Sequence, residues 1–597
     1  MTTSLDPRRI LQDVFGYASF RHRQDAIVDS VCSRRDALVI MPTGGGKSLC
    51  YQLPALALPG MGVIVSPLIA LMSDQVLALE QLAVSAAYLN SSQSLDEQNH
   101  VMRRAAAGEL DLLYVAPERL LQPATLDFLS RCNPNLFAID EAHCVSTWGH
   151  DFREDYLHLH HLKTLFPDVP RIALTATADQ RTQQDIVTRL DLQDPDIYVE
   201  GFDRPNICYT VHPKQEPKRQ LLEFLAERAN EAGIVYCLSR KSVEQTAFYL
   251  SEQGYTALPY HAGLDSRTRS NHQKRFLAED AVIIVATIAF GMSIDKPDVR
   301  FVVHMDLPKS VEAYYQETGR GGRDGEPADA WMVYGLQDVV RLGRMVDESQ
   351  ADPAHKRIER TKLDGLLGWC ELTTCRRQAL LNYFGEPSSA QCGNCDVCLN
   401  PPVTWDATEA AQKALSCVYR TGQRFGAAYV TDVLRGEHTD RIKLNGHDQL
   451  TTFGIGTDIS DQQWRSIFRQ LVVRGYLTVD HAHHGALKLS EDSRALLKGD
   501  AELQLREDQT KAKKRRRKST YKLEIEDEDL MEALRDLRKE IATEAGIPPY
   551  VVFHDATLLE MVELRPNTAA NLLELTGIGQ AKLSKYGDQF LQVIKAH

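Results

Sequence analysis

The sequence predicts an α/β multidomain protein: two parallel-sheet lobes, then a helical zinc-binding segment, a winged helix and a small all-α end. Three observations carry this reading. Short, wholly apolar runs alternate with helical patterns from residue 37 to about 205, and the rhythm restarts near residue 233. Four cysteines gather between residues 375 and 398, and a dense run of charge after residue 510 sets off a helical end. At 597 residues the chain exceeds what one core serves and suggests about three to five domains.

Composition narrows the class. Hydrophobic residues make up 43% and charged residues 25%, as in an ordinary globular protein. No apolar run reaches the ~18 residues of a membrane helix, and Asp6, Arg8 and Arg9 interrupt what would be a signal peptide's apolar core. The expectation is therefore a cytoplasmic protein without membrane partners. A net charge of −13 argues against a surface coated with phosphate-binding residues, although a local groove escapes that average. Twelve cysteines are too dilute for a disulfide scaffold, and eight are scattered singly.

In the first lobe the buried-strand candidates are Ala37 to Ile40, Gly62 to Val65, Leu112 to Val115, Leu136 to Ile139 and Ile172 to Leu174. The first of these leads into Met41-Pro42-Thr43-Gly44-Gly45-Gly46-Lys47-Ser48. Glycines at a strand-to-helix turn let backbone N–H groups close around phosphate oxygens, while Lys47 faces the outer phosphates and the Ser48 hydroxyl suits magnesium. Met41 stands where the general phosphate-loop pattern has a leading glycine. The fourth strand leads into Asp140-Glu141-Ala142-His143. Asp140 is placed to hold the same magnesium ion, and Glu141 to orient and deprotonate an attacking water. The pair of motifs points to nucleoside triphosphate hydrolysis.

The second lobe rests on Gly233 to Cys237, Ala281 to Ala286 and Phe301 to His304, joined to the first near Asp203-Arg204-Pro205-Asn206. Open α/β sheets place ligands at strand ends, and both lobes carry polar motifs there. Ser66-Pro67-Leu68, Ala116-Pro117-Glu118-Arg119 and Thr175-Ala176-Thr177 belong to the first lobe; Ser239-Arg240, His261-Ala262-Gly263, Thr287 and the stretch from Gln316 to Arg323 belong to the second. Each alone is ordinary turn chemistry. Between the first lobe's motifs, Trp148-Gly149-His150-Asp151-Phe152-Arg153 packs two aromatics, a histidine and an arginine into one loop. Bases stacking on such rings gain ~1–3 kcal/mol each; the competing reading makes Trp148 and Phe152 core plugs.

Cys375, Cys392, Cys395 and Cys398 form a Cys-x16-Cys-x2-Cys-x2-Cys array. Four thiolates so spaced close a tetrahedral zinc site, with an iron–sulfur cluster as the rival. Arg376 and Arg377 beside the first ligand suggest a basic face for phosphates. Helical patterns at Ala407 to Tyr419, Ala427 to Leu434 and Gln462 to Arg474, followed by Gly475-Tyr476-Leu477, fit a winged helix on duplex DNA or a plain packing domain. The basic run Lys511 to Lys518 and the acidic run Glu524 to Asp529 read as an extended tether, either DNA-contacting or merely solvated. Beyond it, Gly577-Ile578-Gly579 opens the last helix, where backbone amides could approach a phosphate or the glycines could serve helix packing.

The order of these motifs resembles superfamily 2 helicases, and their spelling resembles the RecQ family of DNA helicases over nearly the whole chain. The residues carrying it are Phe20-Arg21 with Gln24, the Asp140 to His143 box, the Trp148 to Arg153 loop, Ala286-Thr287 with Phe290-Gly291-Met292, and Tyr314-Tyr315-Gln316-Glu317 leading to Arg320 and Arg323. Departures at His22-Arg23, Glu154, Ser293 and Gly321 remove no charge or acceptor that the chemistry needs. The resemblance implies RecA-like lobes over 1–205 and 206–340, a zinc-binding subdomain over 341–405, a winged helix over 406–510, a linker over 511–529 and an HRDC domain over 530–597. It implies catalytic roles for Lys47, Asp140, Glu141, His143, Arg320 and Arg323, the last two reaching from the second lobe. Gln24 would read the adenine edge while Tyr17 and Arg21 stack on the ring, beside Thr43, Gly44, Gly45, Gly46, Lys47 and Ser48. Trp148, His150, Phe152 and Arg153 would couple single-stranded DNA to the ATP site, and His483 or His484 would sit near a strand-splitting hairpin tip. The family position of the cysteines favours zinc.

The implied function is ATP-dependent DNA unwinding, 3′ to 5′, in recombination, replication, repair and the SOS response. ATP, Mg²⁺ and Zn²⁺ would be the cofactors. The implied partners are single-stranded, tailed and branched DNA and a single-stranded-DNA-binding protein, for a monomer at the nucleoid. Two other classes remain open from the residues: a translocase that does not separate strands, and a DNA-binding factor with a vestigial nucleotide site. The intact set of Lys47, Asp140, Glu141 and Arg323 argues against the last.

Overall fold

The computed structural model describes residues 5–42, 44–146, 152–178, 180–228, 230–288, 290, 296–386, 388, 390–480, 485–507 and 525–597. Its first lobe is a parallel sheet of seven strands: β1 (Ala37–Ile40), β2 (Met61–Val65), β3 (Ala86–Leu89), β4 (Leu112–Val115), β5 (Pro134–Ile139), β6 (Arg171–Thr175) and β7 (Asp196–Val199), in the order β3-β4-β2-β5-β6-β1-β7. The central strands are buried on both faces beneath covering helices, which is why they read as continuous apolar runs. Arg171 and Asp36 form a buried ion pair at the N-terminal edge of this sheet.

The second lobe is a six-stranded parallel sheet built from β8 (Ile207–Pro213), β9 (Gly233–Tyr236), β10 (Thr256–Tyr260), β11 (Val282–Ala286), β12 (Phe301–His304) and β13 (Ala328–Tyr334), ordered β10-β11-β9-β12-β13-β8. Strand β8 enters directly from the inter-lobe joint and pairs with the last strand, Ile207 opposite Ala328 and Pro213 opposite Tyr334. Two parallel α/β sheets are thus present, as the alternating pattern predicted.

Helices Pro353–Cys370 and Arg376–Tyr383 carry the chain to the cysteines and pack against the second lobe. Tyr314 and Tyr209 meet Trp369 at ring separations of 4.9 and 6.3 Å, and Phe202 of the joint stacks on Phe384 at 4.7 Å. The next segment has its own core around Trp464, Phe468 and Leu471, made by helices Thr408–Arg420, Ala427–Leu434 and Asp461–Val473. A two-stranded pairing of β14 (Thr404–Asp406) with β17 (Gln504–Arg506) closes it, and β15 (Leu477–Asp480) with β16 (Ala486–Leu489) forms the wing. Arg469 and Arg506 converge on buried Glu371 at 2.5 and 3.1 Å, tying this segment to the helix before the cysteines. His483 and His484 lie outside the described residues, as does the basic run Lys511 to Lys518.

The chain ends in five helices, from Ile525–Ala545 to Gln580–Ala596, around Leu534, Phe553, Met561 and Phe590. This end is not held at a distance by its tether. The Gly577 N–H donates to Gly16 O at 2.9 Å, a Cβ on Gly579 would stand 2.4 Å from Val14 O, and Leu77 of the first lobe packs into the terminal core. The glycine turn therefore serves close backbone contact with the first lobe.

Candidate active site

Strand β1 ends at Ile40 and helix Leu49–Ala57 begins after Ser48, so the phosphate loop sits at the C-terminal edge of the sheet. Gly44 and Gly46 adopt φ of +83° and +84°, a region only glycine enters freely. Gln24 is buried: its Nε2 donates to Gly46 O at 3.1 Å, and its Oε1 accepts from the Arg21 N–H at 2.9 Å. The Arg21 guanidinium lies 5.9 Å from the centre of the Tyr17 ring. Lys47 Nζ donates to Met41 O at 3.0 Å, so the residue in the missing-glycine position contributes its carbonyl. Thr43 is outside the described residues.

Asp140 follows β5, its N–H bonded to Val65 O at 2.9 Å. Glu141 has φ of +50°, a strained conformation for a residue with a side chain, and its N–H donates to Asp140 Oδ1 at 3.0 Å. Burial, with the neighbouring Glu141 charge, pushes the Asp140 carboxyl up to about 7 against the opposing pull of Lys47. A carboxylate so poorly solvated calls for a cation. His143 Nδ1 lies 3.3 Å from Glu141 Oε2 and 2.9 Å from Thr175 Oγ1, so the acidic box touches the Thr175-Ala176-Thr177 motif. Burial lowers His143 to about 3, helped by Lys47, Arg153 and Lys362. It is neutral at physiological pH.

These groups line a cleft of 450 Å³, the size of a nucleotide-scale pocket. Tyr17, Arg21, Gln24, Lys47 and Ser48 contribute from the first lobe with Asp140, Glu141 and His143. Gln316, Arg320 and Arg323 contribute from the second. The Gln316 amide donates across the cleft to Thr177 Oγ1 at 3.1 Å. Arg323 Cγ stands 3.6 Å from where a Cβ on Gly44 would be.

Of the aromatic loop, Trp148 and His150 lie outside the described residues. Phe152 is 40% exposed, which does not suit a core plug. The Arg153 N–H donates to Cys144 O at 2.9 Å and its Nη1 to Pro67 O at 3.1 Å, so this end of the loop is fastened to both the acidic box and the Ser66-Pro67-Leu68 motif.

The sulfur atoms of Cys375, Cys392, Cys395 and Cys398 all lie within 4.8 Å of one another. A hydrogen bond from Cys392 pulls the Cys395 thiol down to about 5, aided by backbone amides, while Cys392 and Cys398 are raised. Four converging sulfurs fit tetrahedral Zn²⁺. The expected phosphate-contacting role of Arg376 and Arg377 fails. Arg376 is buried against Asp396 at 2.5 Å and donates to Trp369 O and Cys370 O, while Arg377 donates to Pro205 O and Ile207 O. Their charges are spent inside the protein, on the Asp396 and Asp203 carboxylates and on backbone carbonyls.

Sequence reasoning missed two sets of residues at this site. Tyr550, His554 and Lys582 of the terminal helices line the same cleft as the phosphate loop. Burial lowers Lys582 to about 8. The charged run ahead of that end signals detachment, so no local feature announced the docking. Arg204 and Asn206 were seen only as a joint, yet both hold the turn that carries Arg320 and Arg323.

Family models match in series along the chain: a DEAD/DEAH box helicase over 21–186, a helicase conserved C-terminal domain over 216–325, a RecQ zinc-binding domain over 336–399, an RQC domain over 401–514 and an HRDC domain over 527–594. The chain is 45% identical to the ATP-dependent DNA helicase RecQ of Pasteurella multocida, covering 100% of this chain and 94% of that protein. Its counterparts in Haemophilus influenzae and Bacillus subtilis are 44% and 38% identical; the matches cover 98% of this chain in both and 95% and 98% of those proteins.

Proposed function

Because the chain belongs to the RecQ family and is an ATP-dependent DNA helicase, we propose a residue-level account of how its cleft couples hydrolysis to unwinding. Tyr17 and Arg21 stack on adenine and Gln24 bonds its edge, which sets a preference for ATP. Backbone N–H groups of Thr43 to Gly46 wrap the phosphates, and Lys47 places its charge on the outer ones. Ser48 and Asp140 would hold Mg²⁺, which would supply positive charge against the triphosphate. Glu141 takes the proton of the attacking water. His143, neutral and bonded to Thr175, keeps Glu141 oriented and passes the state of the cleft along the Thr175 to Thr177 motif. Arg320 and Arg323 approach from the second lobe to stabilise charge on the transferring phosphoryl group.

Gln316 and Thr177 join the lobes across the cleft, and on this reading turnover breaks and remakes their contact. A single strand lying across both lobes is advanced by that movement, with Trp148, His150, Phe152 and Arg153 reporting its presence to Glu141. The chain divides into lobes over 1–205 and 206–340, a zinc platform over 341–405, a winged helix over 406–510 with a strand-splitting hairpin near His483 and His484, a linker over 511–529 and a terminal domain over 530–597. Movement is 3′ to 5′, in recombination, replication and repair. The working unit is a monomer in the cytoplasm at the nucleoid, meeting a single-stranded-DNA-binding protein there.

The observation that carries this reading is one cleft lined from both lobes by Lys47, Glu141, Arg320 and Arg323. ATP-dependent unwinding of duplexes tailed at either the 3′ or the 5′ end tests it: the 3′-tailed substrate is expected to open and the 5′-tailed one to persist. Equal unwinding of both, or hydrolysis with neither opened, would overturn the polarity or the coupling.

A further inference from the structure

The turn from Gly319 to Arg323 carries both arginines that face the phosphate loop, and its carbonyls converge on one side chain. Arg204, in the joint between the lobes, donates from Nη1 to Gly319 O at 3.0 Å and from Nη2 to Gly321 O at 2.8 Å and Gly322 O at 2.9 Å. Asn206, two residues on, donates from Nδ2 to Gly322 O at 2.7 Å and Glu326 O at 2.8 Å. The planar fork of a guanidinium satisfies several acceptors in fixed directions, so it sets the orientation of the turn as well as its distance. Arg204 also borders the phosphate loop: its Nη1 is 3.7 Å from where a Cβ on Gly44 would stand.

The joint itself is clamped from its other side. Buried Arg377 donates from Nη2 to Pro205 O at 3.1 Å and Ile207 O at 2.6 Å, and its Nε lies 3.5 Å from Asp203 Oδ1. Asn394, between Cys392 and Cys395, donates to Pro205 O at 3.0 Å. The backbone after Arg204 and the Asp203 side chain before it are thereby tied to the cysteine platform, while the Arg204 side chain grips the turn.

We propose that Arg204 is a positioning residue for ATP hydrolysis: it sets the turn bearing Arg320 and Arg323 against the phosphate loop, with Arg377 and Asn394 anchoring it. The turn then follows the joint as the lobes close. This rests on the proposed role of Arg320 and Arg323, and the experiment separates the two.

Steady-state ATPase with saturating single-stranded DNA is measured for the full chain carrying Arg204→Gln, Arg323→Ala and both. A misplacement of about 1 Å costs on the order of 10²-fold. Arg204→Gln is therefore expected to lower kcat by roughly 10- to 100-fold, with the KM for ATP within about threefold. Arg204→Lys does not restore the rate, because an ammonium lacks the planar fork. In the Arg323→Ala background, Arg204→Gln should cost clearly less than it does in wild type, since the part of its effect that runs through Arg323 is already lost and only the part through Arg320 remains. Fully multiplicative losses, a rise in KM alone, or an unchanged kcat overturns the inference. If Arg323→Ala itself leaves kcat unchanged, the role given to Arg323 is the part that fails. Should Arg204→Gln not fold, Asn206→Ala decides: a lowered kcat at constant KM supports the inference, and a wild-type kcat sinks it.

Discussion

Arg323 offers the sharpest residue-scale measurement. Arg323→Ala should leave ATP binding intact while slowing hydrolysis by about 10³-fold, the value of an arginine finger; a loss below tenfold in single-turnover assays would give that role to Arg320 or to neither arginine. Glu141→Gln should bind ATP without turning it over, whereas Lys47→Ala should lose both, as equilibrium binding and phosphate release would report. His143 makes a prediction about pH. Its folded value of about 3 lies below the ~6.5 of an unfolded histidine, so the unfolded chain binds the extra proton between those limits. Its contribution to stability is complete above pH 6.5 and is lost as pH falls toward 3. The drop in melting temperature from pH 7.5 to 5.5 should accordingly be smaller in His143→Gln than in wild type; an equal drop would refute the assignment. The phosphate loop and acidic box were legible because their chemistry is written in local spacing. Arg204 was not, since bonds to distant carbonyls leave no spacing signature, and Arg376 and Arg377 misled because a basic pair beside a metal ligand reads the same whether exposed or buried.

Among the elements, legibility followed burial. Strands with two covered faces, such as β1, β4 and β12, announced themselves as unbroken apolar runs. The strands overlooked include all four edges of the two lobe sheets, β3, β7, β8 and β10: a partly exposed face admits polar residues such as Asp196 in β7 and Thr210 and His212 in β8, whereas β3 is apolar and mostly buried but only four residues long. The fifth, β13, is fully buried, but Asp329 breaks its apolar run. That charge is tolerated because Arg228 pairs with it at 2.5 Å. The cysteine cluster carries a prediction at this scale. Purified protein should be colourless with one equivalent of zinc, and Cys395→Ser should yield poorly folded protein, because metal binding here is also folding energy. Iron and a brown colour in elemental and absorption analysis would reverse the choice of metal.

At the scale of the whole molecule, the terminal helices join the nucleotide cleft instead of trailing behind it. Removing residues 511 to 597 leaves both lobes, the cysteines and the winged segment intact, so unwinding of a simple tailed duplex should persist. Affinity for single strands and branched DNA should fall and its salt dependence become shallower as phosphate contacts disappear. The cleft also loses the wall formed by Tyr550, His554 and Lys582, so the KM for ATP should rise, on the order of two- to tenfold, as less of the ligand is enclosed. Unchanged salt slopes on every DNA structure would reduce the tail to a spacer. The pairing of β8 with β13 has a consequence for synthesis. All seven strands of the first sheet are complete by Val199, whereas Ile207 must wait for Ala328, roughly 120 residues later. At ~5–20 residues per second on the ribosome, that is an interval of about 6 to 24 s. For nearly all of it the nascent chain owns a finished phosphate loop but neither Arg320 nor Arg323 to complete it, and an unpaired strand edge that only its own future sequence can cover.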